Sequence, residues 1–463
     1  MTHPLGSAER PARIAIIGAG PAGFYTAEAL LKQKNLNLSV DLFNRLPTPF
    51  GLVREGVAPD HQEIKAVTRI YQRLLDDPRL RYFGNVTFGA DLSLDDLRRH
   101  YDQVVFSVGA QADRRMGIPG EDLDGSFAAT SFVGWYNGHP DYRDMQFDLS
   151  TPTVVVVGNG NVAMDVTRIL ISDPERLATT DIADHALEAL RASQVREVIM
   201  LGRRGPVQAS FTNPELKEFG ELDGVDVIIN PADLELDPAS IQALEGDKMA
   251  QRNVDLLRVY AAKTDLNAPR RIVMRFLASP IEVLGSDGRM TGIKIERNRL
   301  ASDATGGLRA KGTGEFETIS AGMVLRSVGY RGVPLPGVPF DEATFTIPNV
   351  NGRVLSNGGG ETLSGLYTVG WVKRGPSGVI GTNKADAVAT VAGMLEDLGV
   401  LDGAPDEGRD PAVAEALIRS RKPNYVSVEG WKKLDAYETA RGAEQGRPRV
   451  KLTKVADMLE VIG

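Results

Sequence analysis

The chain has 463 residues, a length that favours two or more domains over a single core. Hydrophobic residues make up 42% and charged residues 25%, which excludes a disordered chain, and the net charge of −8 argues against nucleic-acid binding. The sequence contains no cysteine, which excludes disulfides, cysteine-ligated iron–sulfur or zinc sites and dithiol catalysis, and only five histidines, so we expect no metal centre.

The first residues bear on location. The segment MTHPLGSAER has neither the apolar core of a secretory signal nor an Arg-rich amphipathic stretch. No apolar run approaches the ~20 residues of a membrane helix. We therefore expect a cytoplasmic protein without an integral membrane segment.

Four short apolar runs, each followed closely by glycine, predict buried strands. They are Arg13–Ile17, Val104–Val108, Thr153–Val157 and Met323–Val328. Helical patterns follow the first and third runs, at Ala22–Lys34 and Val162–Ile171. A strand, a glycine turn and a helix are typical of parallel α/β structure, and the pattern occurs twice. It therefore predicts two dinucleotide-binding domains.

The region after the second motif is less regular. Three runs, Arg271–Leu277, Ile281–Leu284 and Gly292–Arg299, predict antiparallel strands that extend the second domain. Hairpin loops are expected at Gly306, Gly307 and Gly312–Gly314. Apolar spacing in the tail predicts two helices, around Val413–Ile418 and Trp431–Tyr437.

The first glycine motif is Gly18-Ala-Gly20-Pro-Ala-Gly23. Gly18 permits a tight turn, Gly20 lets the backbone approach a pyrophosphate, and Gly23 lets the helix pack close to the strand. The anion then lies at the helix N-terminus, where free N–H groups and the helix dipole favour it. The alternative is a tight turn without a ligand.

The residue that should hold the ribose of this dinucleotide is unusual. The second strand, Val40–Phe43, is expected to end in Asp or Glu, but Asn44 follows it. Asn44 can accept a hydrogen bond through its amide oxygen, without charge. Asp41 is the poorer candidate because it lies in the middle of the strand.

The second glycine motif is Gly158-Asn-Gly160-Asn-Val-Ala163, and its partner strand ends in Gly202-Arg203-Arg204-Gly205. A carboxylate at this strand end would repel a 2′-phosphate, whereas guanidinium groups bind one bidentately. The second domain is therefore predicted to prefer NADP over NAD. The alternative is a pair of solvated surface arginines.

Two such domains usually stack FAD against a nicotinamide. Since the chain has no redox-active cysteine pair, reduced flavin must deliver its electrons to something outside the chain.

A third motif begins at Gly370-Trp371, where many flavoproteins have Gly-Asp, and the indole is expected to pack against the isoalloxazine or to compete with nicotinamide for its face. The alternative is a tryptophan in an ordinary core. The helical run Asn383–Leu395 is predicted to aim its N-terminus at the flavin.

Together these residues resemble the adrenodoxin reductase family of ferredoxin–NADP reductases, including its mycobacterial members. The resemblance extends over nearly the whole chain and rests on segments far more specific than the glycine motifs. These segments are Pro49–His61, Phe132–Asn137, Gly158–Asp165, Gly202–Pro206, Arg326–Gly332, Gly370–Lys384 and Gly446–Lys451.

The resemblance implies an α/β fold of two Rossmann-like domains, glutathione-reductase-like in arrangement. We expect a discontinuous FAD-binding domain at 1–109 and 330–463 and an NADP-binding domain at 110–329. With the first motif, the resemblance implies FAD contacts at Gly18, Gly20, Ala22, Gly23, Asn44, Leu52, Val86, Trp371, Gly378, Val379 and Ile380. With the second, it implies NADP(H) contacts at Gly158, Asn159, Gly160, Asn161, Val162, Arg203, Arg204 and Glu215, with Gly378 near the nicotinamide.

The resemblance also implies catalytic candidates, which are His61, Asp165 and Glu215. Asp60 and Glu63 predict a capping box that would place His61 at the first position of a helix, either facing the flavin or in a surface or packing role. Asp165 is equally compatible with cofactor contact and with a solvated helix. Family members commonly have Glu at the position of Asn44, so Asn44→Glu is expected to tighten FAD binding.

The expected activity is that of an FAD-dependent NADPH:ferredoxin reductase. NADPH would give a hydride to FAD, and single electrons would pass to a ferredoxin-type iron–sulfur protein, with a cytochrome P450 as a candidate acceptor further downstream. The alternatives are an NADPH-dependent flavin monooxygenase and a non-enzymatic flavin-binding module. Because ferredoxins are usually acidic, like this chain, we expect a locally basic docking face, formed by Arg203, Arg204, Lys217, Lys373 and Arg374. The alternative is that Lys373 and Arg374 are merely solvated or hold the NADP phosphates.

Overall fold

The computed structural model describes residues 3–302, 307–405 and 408–463. The chain divides into two compact units. The first unit comprises the chain up to Val57, His61–Ala112 and Gly329–Gly463, and the second comprises Ala58–Asp60 and Asp113–Val328. Within the described ranges, no helix is long and apolar enough to cross a membrane.

The strands run in chain order as follows: β1 Ala12–Ile17, β2 Leu38–Phe43, β3 Leu80–Phe83, β4 Gln103–Phe106, β5 Ala112–Asp113, β6 Ser126–Ala128, β7 Thr153–Val157, β8 Glu197–Leu201, β9 Val225–Ile229, β10 Arg270–Arg275, β11 Ala278–Ser286, β12 Arg289–Ser302, β13 Leu308–Ser320, β14 Met323–Arg326, β15 Tyr330–Arg331, β16 Asn349–Val350, β17 Arg353–Leu355 and β18 Thr362–Thr368.

The α-helices are α1 Pro21–Leu31, α2 Leu52–Glu55, α3 Gln62–Lys65, α4 Thr68–Leu75, α5 Leu94–His100, α6 Ala129–Asn137, α7 Asn161–Ile171, α8 Pro174–Leu177, α9 Asp184–Arg191, α10 Asn213–Phe219, α11 Pro238–Leu244, α12 Lys248–Ala261, α13 Trp371–Arg374, α14 Thr382–Asp397, α15 Pro411–Arg421, α16 Val428–Glu444 and α17 Val455–Ile462. Short 3₁₀ helices lie at Pro206–Gln208 and Pro231–Leu234.

The first unit is built on a seven-stranded sheet of order β16-β17-β18-β4-β1-β2-β3, parallel from β18 to β3. Strand β1, in the middle of the five parallel strands, is buried on both faces, as expected of a parallel sheet covered by other elements. Ile14 and Ile16 pack into one hydrophobic cluster with α1 and α14, while Ala15 and Ile17 pack into another. The predicted helices in the tail are confirmed as α15 and α16.

The second unit is built on a parallel six-stranded sheet of order β6-β14-β7-β8-β10-β9. Helices cover one face, and the antiparallel sheet β11-β12-β13 covers the other. The prediction that Arg271–Leu277 is antiparallel is wrong, because β10 lies parallel between β8 and β9. Its apolar alternation indicates a strand but carries no information on the partner or its direction. Gly307 lies between β12 and β13, and Gly306 lies outside the described residues. The prediction of a loop at Gly312–Gly314 is wrong, because these residues lie inside β13, where Gly312 pairs with Asn298 of β12.

Each parallel sheet reverses its strand order at the same kind of place. Strand β1 lies between β2 and β4, and β7 lies between β8 and β14. In open α/β sheets, ligands bind outside the carboxyl ends of the strands at such a switch point. The two glycine motifs follow β1 and β7, so the fold confirms two dinucleotide-type domains of α/β class.

A buried carboxylate joins the strands of the first sheet. Asp41, in the middle of β2 with a fully buried side chain, accepts hydrogen bonds from the guanidinium groups of Arg13 at 3.1 Å and Arg81 at 2.6 Å, and from the hydroxyl of Tyr101 at 2.6 Å. Because its oxygens serve this network, Asp41 is a structural residue.

We expect Asp41→Asn to lower the free energy of unfolding by ~3–5 kcal/mol, because it leaves two cations facing a neutral amide in the interior. The measurement is urea-induced unfolding. Asp77→Asn is the matched control, since Asp77 pairs with Arg79 at 2.7 Å near the surface, where loss of a pair costs less than ~1 kcal/mol. Similar unfolding midpoints for the two variants would contradict the structural role of Asp41.

Candidate functional site

The first glycine turn has the shape that a bound pyrophosphate requires. Gly18 has φ of +112°, and a Cβ there would lie 2.7 Å from the carbonyl oxygen of Ser107. A Cβ on Gly23 would lie 2.1 Å from the carbonyl oxygen of Gly18, so only glycine fits. By contrast, a Cβ on Gly20 would meet open space, and α1 begins directly after it without a side-chain cap. The helix N-terminus is therefore accessible to an anion.

The second glycine turn repeats this geometry in the second unit. Gly158 has φ of +137°, and a Cβ there would lie 2.3 Å from the carbonyl oxygen of Ser327. Helix α7 begins after Gly160, again without a side-chain cap. Its third motif position is Ala163, which is fully buried. This turn therefore also presents a helix N-terminus that can receive a phosphate.

The loop after β8 supplies positive charge beside the second turn. Arg203 is exposed and Arg204 half-buried, and in the described part of the chain neither guanidinium forms an ion pair. A Cβ on Gly202 would lie 2.8 Å from the amide nitrogen of Asn159, so the loop lies against the glycine turn. Two unpaired guanidinium groups at this place fit a phosphate monoester.

The catalytic candidates Asp165 and Glu215 both contact one buried arginine of the second unit. Arg168, whose side chain is 1% exposed, lies 2.7 Å from Asp165, 3.3 Å from Glu215 and 2.9 Å from Glu218. It also bonds Asp60 at 2.7 Å. Burial opposes its charge, but the carboxylates outweigh burial and hold the pKa of Arg168 well above its ordinary value.

The predicted capping box is wrong. Helix α3 begins at Gln62, and His61 occupies the N-cap position without a side-chain cap bond. The carboxylate of Asp60 is bound by Arg168 and is not the cap that the spacing with Glu63 indicated. His61 therefore stands directly before the helix, and its catalytic role stays a prediction.

The side chain of Asn44 is committed to the backbone around the first glycine turn. Its amide nitrogen donates to the carbonyl oxygens of Leu46 at 3.1 Å and Thr48 at 2.8 Å. Its amide oxygen accepts from the N–H of Ala19 at 3.3 Å. Its backbone oxygen accepts from the N–H of Val86, a buried residue predicted to contact FAD. Asn44 thus ties the glycine turn to the loop that leads to α2.

A buried ion network holds the helix that carries Leu52. Arg54 donates to both carboxylate oxygens of Glu438, at 2.7 and 2.8 Å, and both side chains are at most 5% exposed. Arg449 also contacts Glu438, at 3.1 Å, and the ammonium of Lys451 donates to the backbone oxygen of Arg54 at 3.1 Å. Leu52 itself is 41% exposed. The C-terminal segment therefore fixes α2 and leaves Leu52 accessible.

Trp371 lies at the start of α13, directly after Gly370, whose φ is +75°. The indole N–H donates to the carbonyl oxygen of Ser377 at 3.2 Å, and the ring packs against Tyr330 at a centroid distance of 5.4 Å. A Cβ on Gly370 would lie 2.7 Å from the Cβ of Ala22. The third motif therefore lies against the start of α1. Trp371 is only half-buried, so it is not a tryptophan of an ordinary core.

Two cations of the expected basic docking face, Lys373 and Arg374, contact other residues of the chain. The ammonium of Lys373 pairs with Asp386 at 2.7 Å, and its side chain is 13% exposed. Arg374 bonds the amide oxygen of Asn383 at 3.0 Å and is 20% exposed. Both cations are therefore held by groups of the same chain, and their role in docking a partner stays a prediction. Lys217 remains exposed on α10.

The N-terminus of α14 differs from that of α1. The first N–H groups of this helix, in residues 382–384, donate to the carbonyl oxygens of residues 379–381. The hydroxyl oxygen of Thr382 accepts a hydrogen bond from the backbone N–H of Val379, and the residue Val379 is 63% exposed. A Cβ on Gly378 would lie 2.5 Å from the same hydroxyl oxygen. Gly378 has φ of +80°, and Ile380 is half-buried. This end thus offers mainly its dipole to a neighbouring anion.

Two parts of the site were missed by the sequence reasoning. Arg54 and Glu438 are far apart in the chain, and no spacing indicates that they pair. Ser107 and Ser327 could have been found, because each begins the tripeptide Ser-Val-Gly at the end of a predicted strand. These repeated tripeptides follow β4 and β14, the strands that flank the two glycine turns across the switch points.

The contacts of Asn44 reverse the expected effect of Asn44→Glu. A carboxylate cannot donate to the oxygens of Leu46 and Thr48, so we expect FAD binding to weaken by about 1–2 kcal/mol, the worth of one or two lost hydrogen bonds. The measurement is the FAD dissociation constant of the deflavinated protein. Asn85→Asp is the control, because Asn85 bonds the oxygen of Asn424 instead. Tighter FAD binding by the Asn44 variant would restore the ribose role.

We expect Glu438→Gln to cost ~3–5 kcal/mol of unfolding free energy at pH 7, because Arg54 loses its buried partner. Burial alone would raise the pKa of Glu438, but Arg54 and Arg449 outweigh it and lower the pKa. The carboxylate therefore stabilises the fold above ~4.3, its ordinary pKa, and the stabilisation is lost as pH falls through the lowered value. Urea unfolding at pH 7 and below pH 4 measures this.

The stability difference between wild type and Glu438→Gln should thus shrink in acid. Glu415→Gln serves as the control, because Glu415 is one-third exposed and should matter much less. A difference that is the same at both pH values would contradict the ionised pair.

The comparisons with known proteins agree with this geometry. Residues 12–230 match the family described as pyridine nucleotide-disulphide oxidoreductase. The chain is 49% identical to NADPH-ferredoxin reductase FprA of Mycobacterium tuberculosis, over 98% of this chain and 99% of that protein. It is 43% identical to the mitochondrial NADPH:adrenodoxin oxidoreductase of Arabidopsis thaliana, over 98% of this chain and 96% of that one.

Among solved structures, the M. tuberculosis FprA complex with NADPH superposes with a TM-score of 0.92 at 48% identity, covering 98% of this chain and all of that chain. Both relatives match nearly end to end, well beyond the residues of the general family model. The chain therefore belongs to the adrenodoxin reductase family of ferredoxin–NADP reductases.

Proposed function

We propose that this protein is an FAD-dependent NADPH:ferredoxin reductase. The observation that carries the proposal is the pair Arg203 and Arg204, on the loop that lies against the second glycine turn, whose guanidinium groups form no ion pair with any residue that the structure describes. The names of the relatives support it, since they are an NADPH-ferredoxin reductase and an NADPH:adrenodoxin oxidoreductase, and one solved relative carries NADPH.

FAD fits the first unit. The open space at Gly20 and the N-terminus of α1 would receive its pyrophosphate. The exposed Leu52 and the half-buried Trp371 would offer apolar surface to the ring system, while Val86 and Ala22 would support the site from the buried side. Asn44 would shape the ribose end through the loop that it holds.

NADP(H) fits the second unit. The N-terminus of α7, at Gly160 and Asn161, would receive the pyrophosphate, and Arg203 and Arg204 would bind the 2′-phosphate. The amide oxygen of Asn161 accepts from the N–H of Thr212 at 2.9 Å, which fixes the start of the helix. Glu215 would act through the ion cluster around Arg168, in which its carboxylate is held.

FAD, when bound, would supply the chemistry of accepting a hydride from NADPH and of releasing electrons singly to a one-electron acceptor. Hydride transfer requires alignment more than a strong base, so the protein's task is to hold both ring systems and exclude water. His61 and Asp165 are proposed to tune the rate of this step.

The acceptor must lie outside the chain, because the sequence has no cysteine for a dithiol or a cluster. A ferredoxin-type iron–sulfur protein is the acceptor that the relatives' names support. A cytochrome P450 further downstream and a cytoplasmic location stay predictions.

The decisive experiment is an anaerobic titration of the purified protein with NADPH, followed by a ferredoxin. We expect NADPH to bleach the flavin absorbance and the ferredoxin to restore it while becoming reduced. Failure of NADPH to bleach the flavin would instead indicate a binding module, and oxygen uptake matched to an oxygenated product would indicate a monooxygenase.

We expect Arg203→Gln combined with Arg204→Gln to lower kcat/KM for NADPH strongly and for NADH hardly at all. Each charge-assisted bond to the 2′-phosphate is worth about 1.5–3 kcal/mol. Steady-state kinetics with ferricyanide measure both coenzymes.

Arg196→Gln is the matched control, because Arg196 directly precedes β8, at the opposite end of the same strand, and its guanidinium donates to the backbone oxygens of Ser193 and Val195. It should leave the preference for NADPH intact. Equal losses for NADPH and NADH in the double variant would overturn the assignment of the 2′-phosphate to these arginines.

A further inference from the structure

The backbone of the arginine loop is held by a side chain from the antiparallel sheet of the second unit. The amide nitrogen of Asn298, in β12, donates to the carbonyl oxygen of Arg203 at 2.8 Å and to the hydroxyl oxygen of Ser279 at 2.7 Å. Asn298 is 7% exposed. Both hydrogens of the amide are therefore used in a buried place, and one of them fixes the peptide of Arg203.

A β-bulge aims Asn298 at this loop. On β12, Glu296 pairs with Phe316 of β13, but Asn298 pairs with Gly312, so the register shifts between the two positions. The hydroxyl of Thr313 donates to the backbone oxygen of Arg297 at 2.9 Å and stabilises the irregularity. Bulges of this kind redirect a side chain and are often found next to functional sites.

The peptide of Arg204 is held in the same way. The N–H of Leu277 donates to the oxygen of Arg204 at 3.1 Å, and Leu277 adopts φ of +52°, rare for a residue with a branched side chain. The oxygen of Leu277 in turn accepts from the N–H of Asn298 at 2.7 Å. Both arginines thus have anchored backbones while their guanidinium groups carry no ion pair in the described residues.

An anchored backbone reduces what must be ordered when a ligand binds, even though the guanidinium of Arg204 also donates to the backbone oxygen of Gln208 at 3.4 Å. The loop then presents two cations at a fixed place, and only their side-chain rotamers are lost on binding. Without the anchor, the loop would have to be ordered by the 2′-phosphate itself, which would weaken binding of that group alone.

We propose that Asn298 is a positioning residue for coenzyme specificity, acting on the 2′-phosphate through the backbone of Arg203. The proposal rests on the proposed role of Arg203 and Arg204. A purely structural Asn298 would alter stability, or affinity for every adenosine ligand alike. If Asn298 is a positioning residue, replacing it changes the ratio of the affinities for ligands with and without a 2′-phosphate.

The test measures binding of adenosine 2′,5′-bisphosphate and of adenosine 5′-monophosphate by calorimetry on the flavin-loaded protein. These probes differ only in the 2′-phosphate. Asn298→Leu removes both donors at similar volume, and we expect it to weaken bisphosphate binding about threefold to tenfold, the effect of one hydrogen bond, with the monophosphate unchanged.

Ser279→Ala is the matched control. It removes the other hydrogen-bond partner of the same amide but leaves the bond to Arg203, so the ratio of the two affinities should stay within about twofold of wild type. An unchanged ratio in Asn298→Leu, or an equal loss for both probes, overturns the proposal. A ratio that falls as far in Ser279→Ala as in Asn298→Leu overturns it as well.

A second pair of measurements separates this proposal from the one on which it rests. If the double variant of Arg203 and Arg204 lowers the ratio of bisphosphate to monophosphate affinity and Asn298→Leu does not, only the positioning role fails. If the double variant leaves this ratio unchanged, the phosphate role of the two arginines fails, and the positioning role of Asn298 fails with it. Should Asn298→Leu not fold, Asn298→Ala gives the same comparison, with hydrogen exchange of residues 202–205 expected to rise.

Discussion

The candidate site depends on one steric constraint, the contact between the first glycine of each motif and the carbonyl of the serine that directly follows the neighbouring strand. A side chain at Gly18 or Gly158 would collide with that oxygen, and both glycines have positive φ. The contact fixes where the chain turns after β1 and β7, and hence where α1 and α7 begin. The accessible helix N-termini, the placement of Asn44 and the placement of the arginine loop all follow from it.

Much of the fold could be predicted because its signals are local. The glycine turns, the helices after them and the strands β1, β4, β7 and β14 all follow from short apolar runs closed by glycine. The direction of β10 could not be predicted, since alternation identifies a strand but not its partner. The capping box failed for a similar reason: the spacing of Asp60 and Glu63 is correct, but Arg168, distant in sequence, binds Asp60.

The same limit applies to the candidate site. The residue types and their order indicated which segments belong to it, and the comparisons agree on the family. The sequence could not show how the side chains are used: Asn44 was expected to face a ribose, yet its amide serves three backbone groups. The buried pair of Arg54 and Glu438 was not predicted either, although it holds the helix that carries Leu52.

Ion pairing separates the structural charges of this protein from those that remain available to ligands. Arg54 and Arg168 are buried and face carboxylates, and Lys373 is paired with Asp386. The charges of these three cations are therefore compensated within the chain. Arg203 and Arg204 look the same in the sequence but have no carboxylate partner in the described residues. Because no carboxylate of the described residues compensates them, their charge is available to an anion at the second glycine turn, against which their loop lies. A neutral residue at position 44 fits the same logic, since a carboxylate there would face the oxygens of Leu46 and Thr48.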